Sequence, residues 1–488
     1  MGNQGNRAIP GPVSIPKCPT GISGFDQVTG GGVPRGRTTL VVGSPGCGKT
    51  LFSAEFLIHG SMDHGEPGVF LAFEETEEEL VRNVNSIGHD LAGLCRRKKI
   101  LVDFVRVERN EIEETGEYDL DGLFVRLGHA IDSIGAKRVV LDTVESLFAG
   151  LSNEGILRAE LRRLFRWLKD REVTTVITAE RGTDRITRHG LEEYVADCVL
   201  LLDHRVTEQI STRRLRVIKY RGSGHGMNEY PFLISERGLY LVPITAATLG
   251  YRVTRKRISS GSPRLDALLG GRGFYRGSTI LVTGGAGTGK TSVAAMFAEG
   301  ASRRGEACLF AVFEESASQL FRNMLSIGID LRPLVEKGKL HVQAERPVHT
   351  GLEEHLLRLT RNAESIGATV LVIDPISSLL SSGTHPDVAS MMTRVIDHFK
   401  SRGITVLLTN LTQQGAEWAG VGVSSLIDTW IDLDETQDHG NRRRRLSIVK
   451  SRGMKHSRSF HEFRMTSRGI EISDDLGARE RRNGENPW

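Results

Sequence analysis

A glycine-rich octapeptide occurs twice in this chain of 488 residues. Gly43-Ser44-Pro45-Gly46-Cys47-Gly48-Lys49-Thr50 returns as Gly284-Gly285-Ala286-Gly287-Thr288-Gly289-Lys290-Thr291, 241 positions later. Other landmarks return in the same order: Phe73-Glu74-Glu75 as Phe313-Glu314-Glu315, Asp142 as Asp374, and Lys219-x-Arg221-Gly222 as Lys450-x-Arg452-Gly453. Their spacings of 240, 232 and 231 residues drift by only about ten positions, so the chain reads as one domain duplicated in tandem, not as a solenoid of short repeats. The joint is expected near residue 247, in a stretch (243–257) that ends in a basic run, giving halves 1–247 and 248–488.

Within each half, short β-branched runs alternate with helical stretches; in the first they fall at 38–42, 68–73, 138–141 and 173–179. That alternation predicts an α/β fold, a mostly parallel buried sheet flanked by helices. Residues 213–220 and 445–450 alternate in polarity and lead into further short strands (230–234, 461–465), as an edge β-hairpin would. The arginine run at 442–445 reads as the solvated tip of that hairpin.

Both octapeptides fit G-x-x-x-x-G-K-[ST] and lie between a β-branched run and a helical stretch, the context a phosphate-binding loop needs. Glycines let successive N–H groups turn toward a β-phosphate, and the following helix offers its positive end. Lys49 and Lys290 are then expected at the β- and γ-phosphates of ATP, with Thr50 and Thr291 on Mg²⁺. A chance glycine turn is the alternative, and recurrence in register argues against it. Asp142 and Asp374 end apolar strands, where a Walker B acid belongs, although a plain strand-ending or capping acid would look the same. The pairs Glu74-Glu75 and Glu314-Glu315 are candidate catalytic bases. Their alternative is a solvated first helical turn, since Glu77, Glu78 and Glu79 follow in the first half; Ser316-Ala317 follow in the second. Lys219, Arg221 and His225, with Lys450, Arg452 and His456, form two cationic sets far along the chain from their glycine loops. On an edge hairpin they would face away from their own phosphates and reach a neighbour's, as arginine fingers do in trans; a solvated basic turn is the bland reading.

Composition narrows the class. Glycine, 55 of 488 or roughly 11% against a usual 7% or so, fits tight backbone turns. Lys+Arg number 64 and Asp+Glu 60, for a net +4, so charge alone implies no polyanionic partner. The five cysteines are scattered and form no C-x-x-C, which argues against a disulfide framework or zinc ribbon and for a reducing compartment. Residues 1–17 hold no apolar signal core, Asn6 stands where myristoylation wants Ser or Thr, and no run approaches the ~18 apolar residues of a membrane span. A cytoplasmic location is expected.

With all these features duplicated in order over about residues 15–470, the chain resembles the KaiC family, the double-domain RecA-type ATPases and autokinases of the circadian clock. The resemblance implies two stacked homohexameric rings of P-loop NTPase domains with ATP and Mg²⁺ between subunits. The first domain would be a slow ATPase in which Glu74 and Glu75 polarise water. The second would be a Ser/Thr autokinase and autophosphatase in which Glu314 and Glu315 act as base toward a hydroxyl of the neighbouring subunit. Matching Asp197 to Asp428 puts the family's phosphorylated pair on Ser424-Ser425, where the first half has Glu193 and Tyr194. A serine pair replaces the Ser-Thr of the best-known members, and the short polar stretch 476–488 argues against a KaiA-like activator. A KaiB-like partner on the first ring is compatible with the resemblance, though no motif demonstrates it.

Two rival classes remain. A RecA- or DnaB-type DNA-dependent ATPase needs basic loops facing the bore of its ring. Residues 375–390 and 409–423 contain no Lys or Arg, while Arg181, Arg185 and Arg188 share one loop of the first half with acids around them. A nucleotide-dependent signalling scaffold could dispense with the acid pairs, and both pairs are intact.

Overall fold

The computed structural model describes residues 15–105, 121–147, 154–182, 185–187, 195–207, 210–236, 238–241, 254–349, 351–382, 384–412, 425–438 and 441–475. The chain divides into two compact units, Met1–Thr245 and Ala246–Trp488.

In the first unit the apolar runs become β1 (Lys17–Cys18), β2 (Val33–Pro34), β3 (Thr38–Gly43), β4 (Gly68–Ala72), β5 (Ile100–Phe104), β6 (Arg138–Asp142), β7 (Thr174–Glu180), β8 (Cys198–Thr207), β9 (Ile210–Tyr220), β10 (Glu229–Ser235) and β11 (Gly238–Leu241). β1 and β2 form a small ribbon; the rest make a sheet in the order β11-β10-β9-β8-β3-β7-β6-β4-β5. From β5 to β8 neighbours run parallel, and β8 to β11 antiparallel. The second unit repeats this with β12 (Arg257–Ile258), β13 (Phe274–Tyr275), β14 (Thr279–Gly284), β15 (Cys308–Val312), β16 (Leu340–Ala344), β17 (Val370–Asp374), β18 (Thr405–Leu411), β19 (Thr429–Asp438), β20 (Asn441–Ser451), β21 (His461–Thr466) and β22 (Gly469–Asp475), in the sheet order β16-β15-β17-β18-β14-β19-β20-β21-β22. Each unit is thus a RecA-like domain with its glycine loop at the end of a central strand.

Consecutive side chains along a strand point to opposite faces, and here both faces are covered. Val140 joins the core that includes Phe52 and Phe56 of the helix Lys49–Asp63, while Val139 and Leu141 join the core that includes Leu157, Leu161 and Leu164. Burial on both sides explains why the strands read as unbroken apolar runs. The second unit departs from the first on one face. Where the first carries Val42, Ala179, Val199 and Leu201, the second carries Thr283, Asn410, Trp430 and Asp432 at matching register. Trp430 Nε1 donates to Thr283 Oγ1 at 2.8 Å, Thr283 Oγ1 donates to Asp432 Oδ1 at 2.5 Å, and the fully buried Asn410 amide has no hydrogen-bond partner among the described residues.

The hairpins differ from expectation in one respect. The arginine run at 442–445 climbs β20 away from the hairpin's turn: Arg442 and Arg443 are exposed beside the tip, whereas Arg444 and Arg445 are half-buried and laddered against β19. The register sets Arg444 opposite Glu435 and Arg445 opposite Asp434, so charges of opposite sign pair across the strands. Arg442 lies 3.6 Å from Glu435, and Arg445 pairs with Asp434 at 2.5 Å while stacking over Phe460.

Candidate active sites

Each phosphate loop links a central strand to a helix capped by a glycine in the left-handed region: Gly48 (φ 104°) before Lys49–Asp63, and Gly289 (φ 103°) before Lys290–Arg303. Gly46 and Gly287 are left-handed too, at 74° and 77°. A side chain is excluded twice over at the caps, because a Cβ on Gly48 would stand 2.9 Å from Ile234 Cδ1 and one on Gly289 2.8 Å from the Phe463 ring. Lys49 Nζ donates to Gly43 O (2.7 Å) and Ser44 O (3.3 Å); Lys290 Nζ donates to Gly284 O (3.0 Å) and Gly285 O (2.7 Å). Burial lowers the pKa of Lys290, opposed by the Asp374 and Glu314 charges. Pro45, Cys47, Ala286 and Thr288 complete the two loops; Cys47 is buried, and burial pushes its thiol up.

The acids gather at the same sheet ends. Asp374 accepts from Thr291 Oγ1 at 2.8 Å and from Thr409 Oγ1; Asp142 likewise accepts from Thr178. Burial raises the pKa of both aspartates, and the hydroxyls of Thr178 and Thr50, or Thr409 and Thr291, oppose that shift. Glu74 Oε1 accepts from Thr143 (3.2 Å) and Ser146 (3.1 Å), and Glu314 Oε1 accepts from Ser378 (2.8 Å). Glu75 accepts from Asn83 at 3.3 Å, and Glu315 from Asn323 at 2.8 Å. Burial raises the pKa of Glu315, with the Asn323 hydrogen bond opposing. In the first unit Lys49, Thr50, Glu74, Glu75 and Asp142 line one cleft of about 280 Å³. Glu77, Glu78 and Glu79 form a separate first helical turn, capped by Thr76.

The cationic sets stand elsewhere. Val199 pairs with Lys219 and Cys198 with Tyr220, while Cys198 is itself opposite Thr39 at the start of β3. Arg221 N donates to Asp197 O at 2.9 Å, and Arg452 N to Asp428 O at 2.8 Å. Lys219 and Arg221, like Lys450 and Arg452, are therefore at the strand end opposite their own glycine loop, about 17 Å away along a six-residue strand. His225 Nδ1 donates to Gly226 O (3.0 Å), and His456 Nδ1 to Ser457 O (2.9 Å). Ser425 is exposed at this same end, three residues before Asp428; Ser424, Glu193 and Tyr194 lie outside the described residues, as does Arg188. Arg181 pairs with Asp203 at 2.8 Å.

Several site residues escape a reading of the sequence. Asn83 and Asn323 recur eight positions after the second glutamate of each pair, and Thr178 and Thr409 recur near the ends of equivalent strands; repetition was the available signal. Arg444 Nε donates to Gly287 O at 3.2 Å, touching the second phosphate loop from β20. Glu180 lines the first cleft, opposite Gly43, where the second unit has Leu411 opposite Gly284.

Two RecA-like sheets, each offering a glycine loop, an embedded lysine and strand-end carboxylates, define a tandem P-loop ATPase. The chain matches the family described as "ATPase: KaiC" twice, over residues 18–246 and 258–477. It is 51% identical to Circadian clock protein KaiC2 of Synechocystis sp. over 464 residues, covering 94% of this chain and 82% of that protein. It is 37% identical to Circadian clock oscillator protein KaiC of Parathermosynechococcus lividus (96% and 87% covered) and 36% identical to that of Synechococcus elongatus (96% and 91%). The chain belongs to the KaiC family of ATPases. No helix among the described residues is long and apolar enough to cross a membrane.

Proposed function

We propose that this protein is an ATP-hydrolysing Ser/Thr autokinase, the first unit hydrolysing ATP and the second phosphorylating Ser424 or Ser425 of a neighbouring copy. One observation carries the reading: Ser425, Lys450 and Arg452 share the sheet end remote from their own phosphate loop. A group that cannot reach its own γ-phosphate can serve the next subunit's, so acceptor hydroxyl and cations would arrive together when copies of this chain form a ring. In the first unit no serine pair occupies that position, and water is left as acceptor.

Lys49 and Lys290 would hold the β- and γ-phosphates. Glu74 and Glu75 would orient water, and Glu314 and Glu315 would take the serine proton. Thr50 with Asp142 and Thr291 with Asp374 present hard oxygen donors that suit Mg²⁺, which supplies charge neutralisation on the phosphates when bound. Lys219, Arg221, Lys450 and Arg452 would stabilise charge on the transferred phosphoryl group, with the histidines bracing their turns. The assembly is a homohexameric double ring, open on its first unit to a KaiB-like protein.

Incubation with Mg²⁺ and γ-labelled ATP is expected to label Ser424 or Ser425. Glu314→Gln together with Glu315→Gln should abolish that label and spare hydrolysis by the first unit. Label at other positions, or hydrolysis strongly stimulated by single-stranded DNA, would overturn the reading.

A further inference from the structure

Each unit begins with a two-stranded ribbon, and each ribbon is tied to the turn that carries the cationic set. In the first unit Tyr220, the residue before Arg221, donates its hydroxyl to Gly32 O at 3.0 Å, and Lys17 of β1 lies 5.0 Å over its ring. That carbonyl is presented by a left-handed glycine turn; a Cβ on Gly32 would sit 2.0 Å from Cys18 O. Gly222 is equally constrained, left-handed at 74° and so close to Ile15 that a Cβ would lie 2.0 Å from Ile15 Cδ1.

The second unit makes the same tie from the other side. Tyr275 of β13 donates its hydroxyl to Gly453 O, directly after Arg452, at 3.1 Å, and Arg257 of β12 stacks 4.4 Å over its ring. Ser457 N adds a bond to Leu268 O at 2.9 Å. By register Lys17 matches Arg257, so a cation at one ribbon position covers a tyrosine ring in both units. The tyrosines themselves do not match: Ser451 stands where the first unit has Tyr220, and Pro34 where the second has Tyr275. Donor and acceptor walls have been exchanged, yet a tyrosine hydroxyl still meets a glycine carbonyl across the seam.

A bond preserved through such an exchange of sides points to the seam itself as what matters. We propose that Tyr220 and Tyr275 are positioning residues that latch the Lys-x-Arg-Gly turn to its ribbon and so aim the cations at the nucleotide of a neighbouring copy. This rests on the trans reading above. Arg221 is half exposed and held toward Asp197 by its N–H at 2.9 Å and its guanidinium at 3.7 Å, and the latch at Tyr220 supplies the tie that fixes this end of the hairpin against the ribbon. An ångström of misplacement in a phosphoryl-transfer site costs up to about a hundredfold in rate.

The test mixes full-length chains before ATP is added and reads hydrolysis above the sum of the separate chains. Arg221→Ala lacks the cation but keeps its catalytic glutamates; Glu74→Gln/Glu75→Gln lacks the glutamates but keeps the cation. Their mixture is expected to regain hydrolysis. Tyr220→Phe placed in the glutamate-deficient chain, the cation donor, should cut that regained rate by roughly fivefold or more. The same substitution placed in the Arg221→Ala chain should leave it unchanged, which a general loss of folding would not do. Recovery unaffected by Tyr220→Phe in the donor overturns the latch and leaves the trans reading standing. Equal loss from either placement also overturns it, in favour of a structural role. Mixtures that never recover overturn the trans reading, and the latch with it.

Discussion

Asn323 donates to Glu315 Oε2 at 2.8 Å, and Asn83 makes the same contact with Glu75 at 3.3 Å. Burial holds the Glu315 carboxyl above its ordinary range, and the amide bond works against that by favouring the charged form. Removing the donor must raise the pKa further, so Glu315, in its proposed role as base, would be protonated and idle up to a higher pH. Asn323→Leu is expected to move the acid limb of the autophosphorylation rate profile upward by about one pH unit, since a hydrogen bond to a charged group contributes about 1.5–3 kcal/mol. Initial rates across pH would check it, and an unmoved limb would count against Glu315 as the base. At this scale the sequence was readable where chemistry demands a residue type, as at Lys49 or Asp374. It was silent on the asparagines, because a helix capped by Ser316 turns Asn323 back over the acid, and nothing in an amide's spacing announces that.

The elements that carry the site depend on pins the sequence does not advertise. Arg138, at the start of β6, has no exposure at all. Its Nε donates to Glu66 Oε2 at 2.7 Å, its Nη1 to Phe56 O at 2.8 Å, and its guanidinium lies 4.7 Å over the Phe56 ring. Gly60 must be glycine beside it, because a Cβ there would come within 2.3 Å of Arg138 Nε. The second unit has Val370 at this position, and Glu306 pairs instead with Arg276 and Arg304. Arg138→Ala removes a charge-assisted hydrogen bond but leaves Glu66 its second partner, Arg35, at 2.7 Å, so it should cost about 1.5–3 kcal/mol. Hydrogen-exchange protection in β4 and β6 is expected to fall accordingly while β15 and β17 keep theirs; an equal fall in both units would refute the assignment. Boundaries of the parallel strands were legible to within a residue, because both sheet faces are covered and apolar runs are unbroken, whereas the hairpin strands at 210 and 441 begin three and four residues before their expected starts. In the arginine run only Arg444 and Arg445 depart from a solvated tip, for a physical reason: their partners Glu435 and Asp434 are on a strand whose register no local pattern reveals.

For the whole molecule, duplication of the loop, acids and cationic set made the two-unit RecA-like architecture readable before any coordinates. The latches were not, since each joins residues nearly 180 positions apart or more through backbone carbonyls, which every residue possesses. Because the cations stand at the sheet end away from their own loops, nucleotide should drive assembly of the 53.7 kDa chain into a much larger particle. Light scattering with saturating ATP tests this, and a mass that stays at the monomer value would sink it.

The two units share an outline but have stopped being spare parts for one another. The helices over the first sheet bring Leu157, Leu161 and Leu164 to a face that holds Val42, Ala179 and Val199. Over the second sheet the helix His385–Ser401 buries Val388, Met392 and Val395 instead, and the face holds Thr283, Asn410 and Asp432. Recombination between the two copies within one gene would therefore pair a helix and a sheet face whose side chains differ in volume and polarity, a mismatch that works against the tandem pair collapsing back into identical halves.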